Sequence, residues 1–261
     1  MRPWGAHARM GVHVRSPLRN PPRFAVFPSH IRAVDFGHVL VFIDYRTGRV
    51  RCLLPAAAAL WQDAARTGRL DAMAPGLAVR LLTDGLLVPA PVSMPWTAPV
   101  TARSAPASWG GAEHPAGISR PPSVPRRSGI AAAAALTTVL AIKRAGPATS
   151  AMHRVTATLR AAASICRHAA TTDQVNAAVL AVRHVGWYSP GRTACLEESA
   201  ATVLLLASRR LAVTWCHGVA PDPVRLHAWV QTVDGIPVGE PRSTLACTPV
   251  LAIGGRHQRQ P

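Results

Sequence analysis

The chain holds five cysteines, eleven histidines and twelve carboxylates, and one arrangement of these groups could do nucleophilic chemistry. Cys195 follows a Pro-Gly turn at 190–191 and opens the apolar run 196–206, which places it in the first turn of an expected helix. There the positive end of the helix dipole favours the thiolate, the reactive form of a group that ordinarily titrates near ~8.5. His227 heads the short apolar run His-Ala-Trp-Val that ends in Gln231 and reads as a buried strand. Behind it come a turn at Asp234-Gly235, a second short strand expected over 236–238, and Glu240. A helix-borne sulfur, a strand-borne imidazole and a carboxylate one hairpin further on are the parts of a Cys-His-acid nucleophilic set. Trp229, two residues from His227 and therefore on the same strand face, is positioned to pack over the imidazole.

The remaining cysteines read differently. Cys52, Cys166, Cys216 and Cys247 lie inside apolar segments and are expected to be core residues, whereas Cys195 stands at a turn-to-helix junction beside Arg192. An odd cysteine count without a C-x-x-C pair points to a reducing compartment, and no His/Cys cluster has metal-ligand spacing, so neither a metal nor another cofactor is expected.

The elements that must position the site form two groups. Short β-rich runs at 31–34, 39–44 and 50–54, separated by turn-forming residues, predict a three-stranded antiparallel meander. Pro55 then opens a helix over 56–66 closed by Gly68, and a second helix over 77–83 ends at Asp84-Gly85. Three strands followed by helices make an α+β layer with an open sheet edge. From 91 to 128 the composition turns Pro/Ser/Ala-rich and predicts a tether. Past it, helices are expected over 129–144, 152–168 and 173–185, the last capped by Thr172 or Asp173. Residues 1–22 read as a disordered basic arm and 255–261 as a frayed tail, leaving domains at 23–90 and 129–254.

Charge narrows the partners. The formal charge of +17 is carried almost wholly by arginine, with Lys143 the sole lysine. Arg, Ala and Pro enrichment fits a GC-rich genome; a surface that attracts an acidic peptide or a nucleic acid is the other reading. The basic residues are spread through all regions rather than gathered among aromatics, which disfavours nucleic acid. The N-terminus lacks the apolar core of a secretory signal, and the apolar stretch 129–142 is too short to span a bilayer, so a cytoplasmic protein without stable membrane insertion is expected.

Two resemblances give these parts a purpose. The pattern Arg192-x-x-Cys195-Leu196-x-x-Ser199, the segment Trp215-Cys216-His217-Gly218-Val219, and His227-Ala-Trp-Val with Asp234-Gly-x-Pro-Val-Gly-Glu240 resemble the leader peptidase (B protein) family of lasso-peptide biosynthesis, a branch of the transglutaminase-like cysteine peptidases. The resemblance implies Cys195 as nucleophile, His227 as general base and then acid, and Glu240 as the group that orients the imidazole. The family often carries Asp as the third member, so Asp234 in the hairpin turn stays open as a substitute. It implies a transglutaminase/papain-like fold, helices followed by antiparallel β, with an ATP-dependent macrocyclase acting next. The first half, through Leu40-Val-x-Ile-Asp44, Thr47-Gly48-Arg49, the Pro55-to-Trp61 helix start and Leu81-Leu-x-Asp-Gly-Leu-Leu87, resembles the PqqD-like RiPP recognition element, a winged-helix-like fold. That family binds the leader of a precursor peptide as an added strand. Here the groove would be walled by Val50, Arg51, Cys52 and Leu53 on one side and Leu77, Arg80 and Leu81 on the other. The competing functions are a transglutaminase-like acyltransferase, which would pass the acyl group to an amine, and a non-catalytic winged-helix adaptor for peptide or DNA.

Overall fold

The computed structural model describes residues 21–102, 121–189, 191, 193–221 and 223–254. The expected arm therefore lies outside the described residues except for its last two, and the expected tail lies wholly outside. In chain order the elements are β1 (Phe24–Val26), β2 (Ile31–Asp35), β3 (Leu40–Asp44), β4 (Val50–Leu53), α1 (Pro55–Ala65), α2 (Pro75–Thr83), β5 (Val88–Ala90) and β6 (Val100–Thr101). They are followed by α3 (Arg126–Arg144), α4 (Ala151–Ser164), β7 (His168–Ala169), α5 (Thr172–Trp187), α6 (Cys195–Ala207), β8 (Leu211–Ala212), β9 (Thr214–Pro221), β10 (Val224–Gln231) and β11 (Thr248–Ile253). The architecture is mixed α+β, as expected.

Two compact units share the chain, and their boundary is not the one expected from composition. Among the described residues, one unit takes 21–28 and 60–96 and the other takes 29–59 and those from 97 to 254, so the division falls inside α1. The physical reason is a shared core. Val34 of β2, Val41 and Ile43 of β3 and Tyr45 in the turn after β3 are buried in one apolar cluster with Leu136 and Val139 of α3, Leu159 of α4, Val182 of α5, Leu206 of α6 and Trp215 of β9. The sheet at 29–53 thus belongs with the catalytic half rather than with a separate 23–90 domain.

In the smaller unit β1 pairs antiparallel with β5. Trp61, fully buried, meets Phe27 edge-on with ring centroids 5.4 Å apart and lies tilted against Trp96, whose Nε1 donates to the Ala25 carbonyl at 2.7 Å. Such aromatic contacts add about 0.5–1.5 kcal/mol beyond their buried area. Trp96 belongs to the stretch expected as a tether, and Val100–Thr101 of the same stretch pair in parallel with β2. The expectation of a free linker over 91–128 is corrected to that extent; residues 103–120 lie outside the described residues.

The larger unit carries two sheets that matter here. The first has strand order β4-β3-β2-β6, with β4 on an edge; the second has order β10-β9-β11. α6 is packed among α3, α4, α5 and β10, and nine of its side chains are buried, so its sequence is apolar all round rather than on one stripe. Among the described residues no single helix is long and apolar enough to cross a membrane.

Several local expectations are corrected. The N-cap of α5 is Thr171, whose Oγ1 accepts from the Gln174 N–H at 3.3 Å while the Gln174 side chain accepts from the Thr171 N–H at 3.0 Å. This reciprocal capping box outcompetes a cap at Thr172 or Asp173. The helix expected to reach His168 stops at Ser164, because 168–169 pair with β8. The expected strand over 236–238 reduces to a single bridge between Gln231 and Pro237, flanked by the Val238 N–H donating to Val230 at 3.1 Å. Pro237 has no N–H with which to extend the ladder.

If the sheet and the helices share one core, Ile43→Ala, at a site 1% exposed, costs about 2–5 kcal/mol. Hydrogen exchange should then accelerate in β9 as well as in β2–β4; acceleration confined to β2–β4 would show that the sheet opens independently.

Candidate active site

α6 begins where it does because Ala194 is extended (φ −131°, ψ 178°) and Glu197 reaches back to it, its Oε2 accepting the Ala194 N–H at 3.1 Å. Ala194 has no side-chain oxygen to reciprocate. Cys195 therefore opens α6 with no side-chain cap over its first turn, where helix N–H groups point outward. Glu197 is 4% exposed, and its other oxygen is paired with the Lys143 ammonium from α3, so the one lysine of the chain neutralises a carboxylate buried beside the nucleophile. Ser199, one turn on, accepts from Trp215 Nε1 at 2.9 Å and ties α6 to β9.

His227 stands on β10 opposite Gly218 of β9. Its ring is stacked on Trp229, centroids 5.8 Å apart and planes 12° from parallel. Gly218 makes room for this: a Cβ there would sit 2.6 Å from the Thr248 carbonyl oxygen and 2.9 Å from the Trp229 ring. Nε2 of His227 lies 2.7 Å from Glu240 Oε2, which leaves Nδ1 as the nitrogen available to the sulfur of Cys195, whose titration the ring perturbs.

Glu240 is held from three sides. Its carboxylate, 6% exposed, receives Arg183 Nη2 on Oε1 at 2.9 Å and the Thr244 hydroxyl on Oε2 at 3.3 Å, beside His227. A second Arg183 amino group donates to the Gly239 carbonyl, and its Nε lies 3.7 Å from Glu198 Oε2. Asp234, by contrast, is exposed in the hairpin turn and makes no hydrogen bond or ion pair among the described residues. Of the two carboxylates left open by the sequence, the structure brings Glu240 to the imidazole.

These contacts set the protonation states. Burial alone would raise the Cys195 thiol, but hydrogen bonds from His227 and from the Ala228 and Leu196 N–H groups, together with the charge of His227, bring it below its usual value. The hydrogen bond to Cys195 and that to Glu240 raise His227 to about 9 against the penalty of burial. The pair therefore favours thiolate with imidazolium over thiol with imidazole. Elsewhere burial pushes the cysteines the other way, Cys216 to about 12 and Cys247 to about 11, with Cys52 and Cys166 also raised. Cys166 and Cys216 are core residues as expected, whereas Cys247 is half-buried and Cys52 is exposed on β4. Arg192 lies outside the described residues.

The family model of the transglutaminase-like superfamily matches residues 136–252, a span that contains Cys195, His227 and Glu240. Residues 136–252 are a transglutaminase-like domain. The chain matches none of the curated proteins and none of the solved structures with which it was compared. A transglutaminase-like domain is consistent with either a cysteine-protease-like or an acyltransferase activity, and the triad geometry serves both.

The residues expected to bind a leader fall in different units. On β4, Val50 and Leu53 are half-buried while Arg51 and Cys52 are exposed, and the strand has one edge without a neighbour in the sheet. On α2, Leu81 is buried at 2% exposure, Leu77 is half-buried, and Arg80 is exposed with its Nε 3.0 Å from Asp84. Sequence reasoning missed Arg183, Thr244, Glu197 and Lys143. Arg183 and Lys143 lie on helices whose apolar period is their visible signal; that Lys143 is the single lysine is the one feature of the sequence that singles it out.

Alkylation of Cys195 by iodoacetamide should follow a titration midpoint below that of an ordinary thiol, and His227→Ala should move it upward. An unshifted midpoint in both proteins would mean that the imidazole does not stabilise the thiolate.

Proposed function

We propose that this protein is the leader peptidase of lasso-peptide (RiPP) maturation, cleaving a precursor's leader from its core. The observation that carries the catalytic part is a single one: a part-exposed sulfur at a helix start, its titration lowered by an imidazole whose Nε2 is fixed by a buried, arginine-clamped carboxylate. The leader-peptidase part is supported by the sequence patterns around Cys195, His227 and Glu240 and by a sheet edge that could accept an added strand.

In this reading the Cys195 thiolate attacks the carbonyl carbon of the last leader residue, forming a C–S bond and a tetrahedral oxyanion. The Cys195 N–H at the start of α6 is the donor for that oxygen, and loss of one such donor typically costs about 10²–10³ in rate. Imidazolium His227 gives its Nδ1 proton to the leaving amine as the C–N bond breaks. His227, now neutral, takes a proton from water, which attacks the thioester; expulsion of the thiolate restores the ion pair. Glu240 holds the ring and offsets its charge, and Arg183 holds Glu240.

The leader would pair along the edge of β4 that has no neighbour in the sheet, where Arg51 and Cys52 are both exposed. Precursor peptide and an ATP-dependent macrocyclase are the partners, with no nucleic acid, and the setting is cytoplasmic.

Cys195→Ala should abolish cleavage of precursor peptide in a mass-spectrometric assay while leaving leader binding by the full-length protein intact in fluorescence polarisation. Retained cleavage would remove Cys195 from the mechanism, and products carrying an added amine in place of water would favour the acyltransferase. Glu240→Gln should slow cleavage by about 10²-fold or more and Asp234→Asn by less than about twofold; the reverse ranking would reassign the orienting acid. The rate should fall on the alkaline side as pH rises through about 9, where imidazolium His227 loses its proton, and on the acid side as the thiolate is protonated. A profile still rising beyond about pH 10 would contradict the ion pair.

A further inference from the structure

Away from the triad, a cavity of about 380 Å³ opens on the larger unit between α4, β8 and the end of β11. Its wall is mostly apolar: Ala163, Ala212, Val213, Ala252 and Ile253. Val213 and Ile253 are buried, and β11 closes on Val213 because residue 254 is a glycine at φ 93°, where a Cβ would sit 2.2 Å from the Val213 carbonyl oxygen. The last residue of α6, Ala207, packs with Ala162 and Cys166 at the same place. Since α6 runs 13 residues from Cys195 to Ala207, at about 1.5 Å per residue this end of the helix lies about 18 Å from the nucleophile. The cavity is therefore separate from the catalytic site.

Four arginines gather on this face. Arg160 lines the cavity, and Arg209 and Arg210 directly precede β8. The Arg167 N–H donates to the Arg210 carbonyl at 2.9 Å, and the Arg210 guanidinium donates to the Ile165 carbonyl at 3.3 Å, which brings these two arginines together beside Cys166. All four are exposed, and none is in an ion pair among the described residues, unlike Arg80 or Arg183. In a chain of formal charge +17 unpaired arginines alone would say little; here they meet at one hollow. α4 and α6 both end here, and a helix C-terminus carries about −0.5 of a charge, so the two ends offset roughly one of the four positive charges. Ile165, between the lining residues Ser164 and Cys166, is 47% exposed and adds apolar surface to the rim.

We propose that this face docks an acidic segment of a partner protein, with an apolar side chain of that segment in the cavity and its carboxylates on the arginines. Guanidinium groups take carboxylates in two-pronged pairs, and the apolar wall is covered only if the acidic segment also brings an apolar anchor. Charge argues against the other occupants. A second copy of the chain brings the same large positive charge. The chain's own continuation beyond Gly254 holds Arg256, His257 and Arg259, and like charges oppose its seating among the arginines. Among the described residues none that lines the cavity is aromatic, so the stacking surface used for single-stranded nucleic acid is missing. The inference does not rest on the leader-peptidase reading. At the far end of α6 a bound partner leaves Cys195 open.

The test uses full-length protein and two fluorescein-labelled hexapeptides, Glu-Asp-Leu-Leu-Glu-Asp and Glu-Asp-Ser-Ser-Glu-Asp, titrated by fluorescence polarisation. The leucine peptide should bind about 10-fold tighter than the serine peptide. Reversing two charges, Arg160→Glu with Arg167→Glu, should weaken it about 10-fold or more. Ser164→Trp, which fills the mouth of the cavity from an exposed position, should bring the two peptides within about twofold. Arg126→Glu with Arg127→Glu, an equal change of net charge on exposed residues of α3, should alter binding by less than about twofold. Iodoacetamide should label Cys195 at an unchanged rate in all these variants and with saturating peptide. Equal binding of the two peptides would overturn the docking site, as would equal losses in the two charge-reversed proteins, which would reduce the effect to overall charge. A gain of about 10-fold on removing residues 255–261 would overturn it in favour of the chain's own tail. A fluorescein-labelled 12-nucleotide oligothymidylate that binds tighter than the leucine peptide and is lost with Arg160 and Arg167 would give the face to nucleic acid instead.

Discussion

The site depends on an ion pair between a thiolate and an imidazolium, and the surrounding fold can be read as what makes that pair cheaper than its neutral form. Charge separation in a half-buried place is costly unless each charge is met by hydrogen bonds. The sulfur is met by the first-turn N–H of Leu196, by the Ala228 N–H from β10 and by the ring of His227. The ring is met on its far side by Glu240, which Arg183 and Thr244 hold in turn. From nucleophile to guanidinium, alternating charges run through four side chains contributed by α6, β10, the loop after it and α5. Cys216, which is buried, and Cys247, which is half-buried, are pushed up by desolvation and remain thiols.

Keeping α6 and β10 in register is a packing problem. α6 is buried on nearly all sides, and a common core runs from the first sheet through α3, α4 and α5 to β9. Trp215 is central to it, fully buried, donating to Ser199 of α6 and stacked on His217. Because interiors are close-packed, a shift in the 29–53 sheet is felt at the helices it shares a core with. The interleaving of that sheet with the catalytic half follows from this, and it makes a freely tethered recognition module a poor description of residues 29–53.

Much of the site is legible in the sequence because it rests on local rules. A Pro-Gly turn before an apolar run locates Cys195 at a helix start, a short β-rich run locates His227, and the two-residue strand period places Trp229 on its face. The capping box at α5 is equally visible as Thr171-x-x-Gln174, although Thr172 and Asp173 are chemically able to cap and draw the helix start one or two residues too late. What cannot be read is long-range. Nothing in the spacing of Arg183 or Thr244 announces that they meet at Glu240, and composition marks where a chain is Pro-rich but not which core a sheet will join. Two-residue strands such as β6 and β7 are too short for any period to show. Cys52 resembles a core residue by its apolar neighbours, yet it lies exposed on an edge strand.

The most direct measurement is the ring titration of His227 by NMR in histidine-labelled protein, wild type beside Cys195→Ser. If the ion pair exists, the wild-type ring stays protonated through neutral pH and loses its proton near about 9, whereas removal of the thiolate lowers that midpoint clearly. A His227 ring already neutral at about pH 7 in the wild type, or one whose titration ignores the loss of the sulfur, would contradict the ion pair on which the mechanism stands.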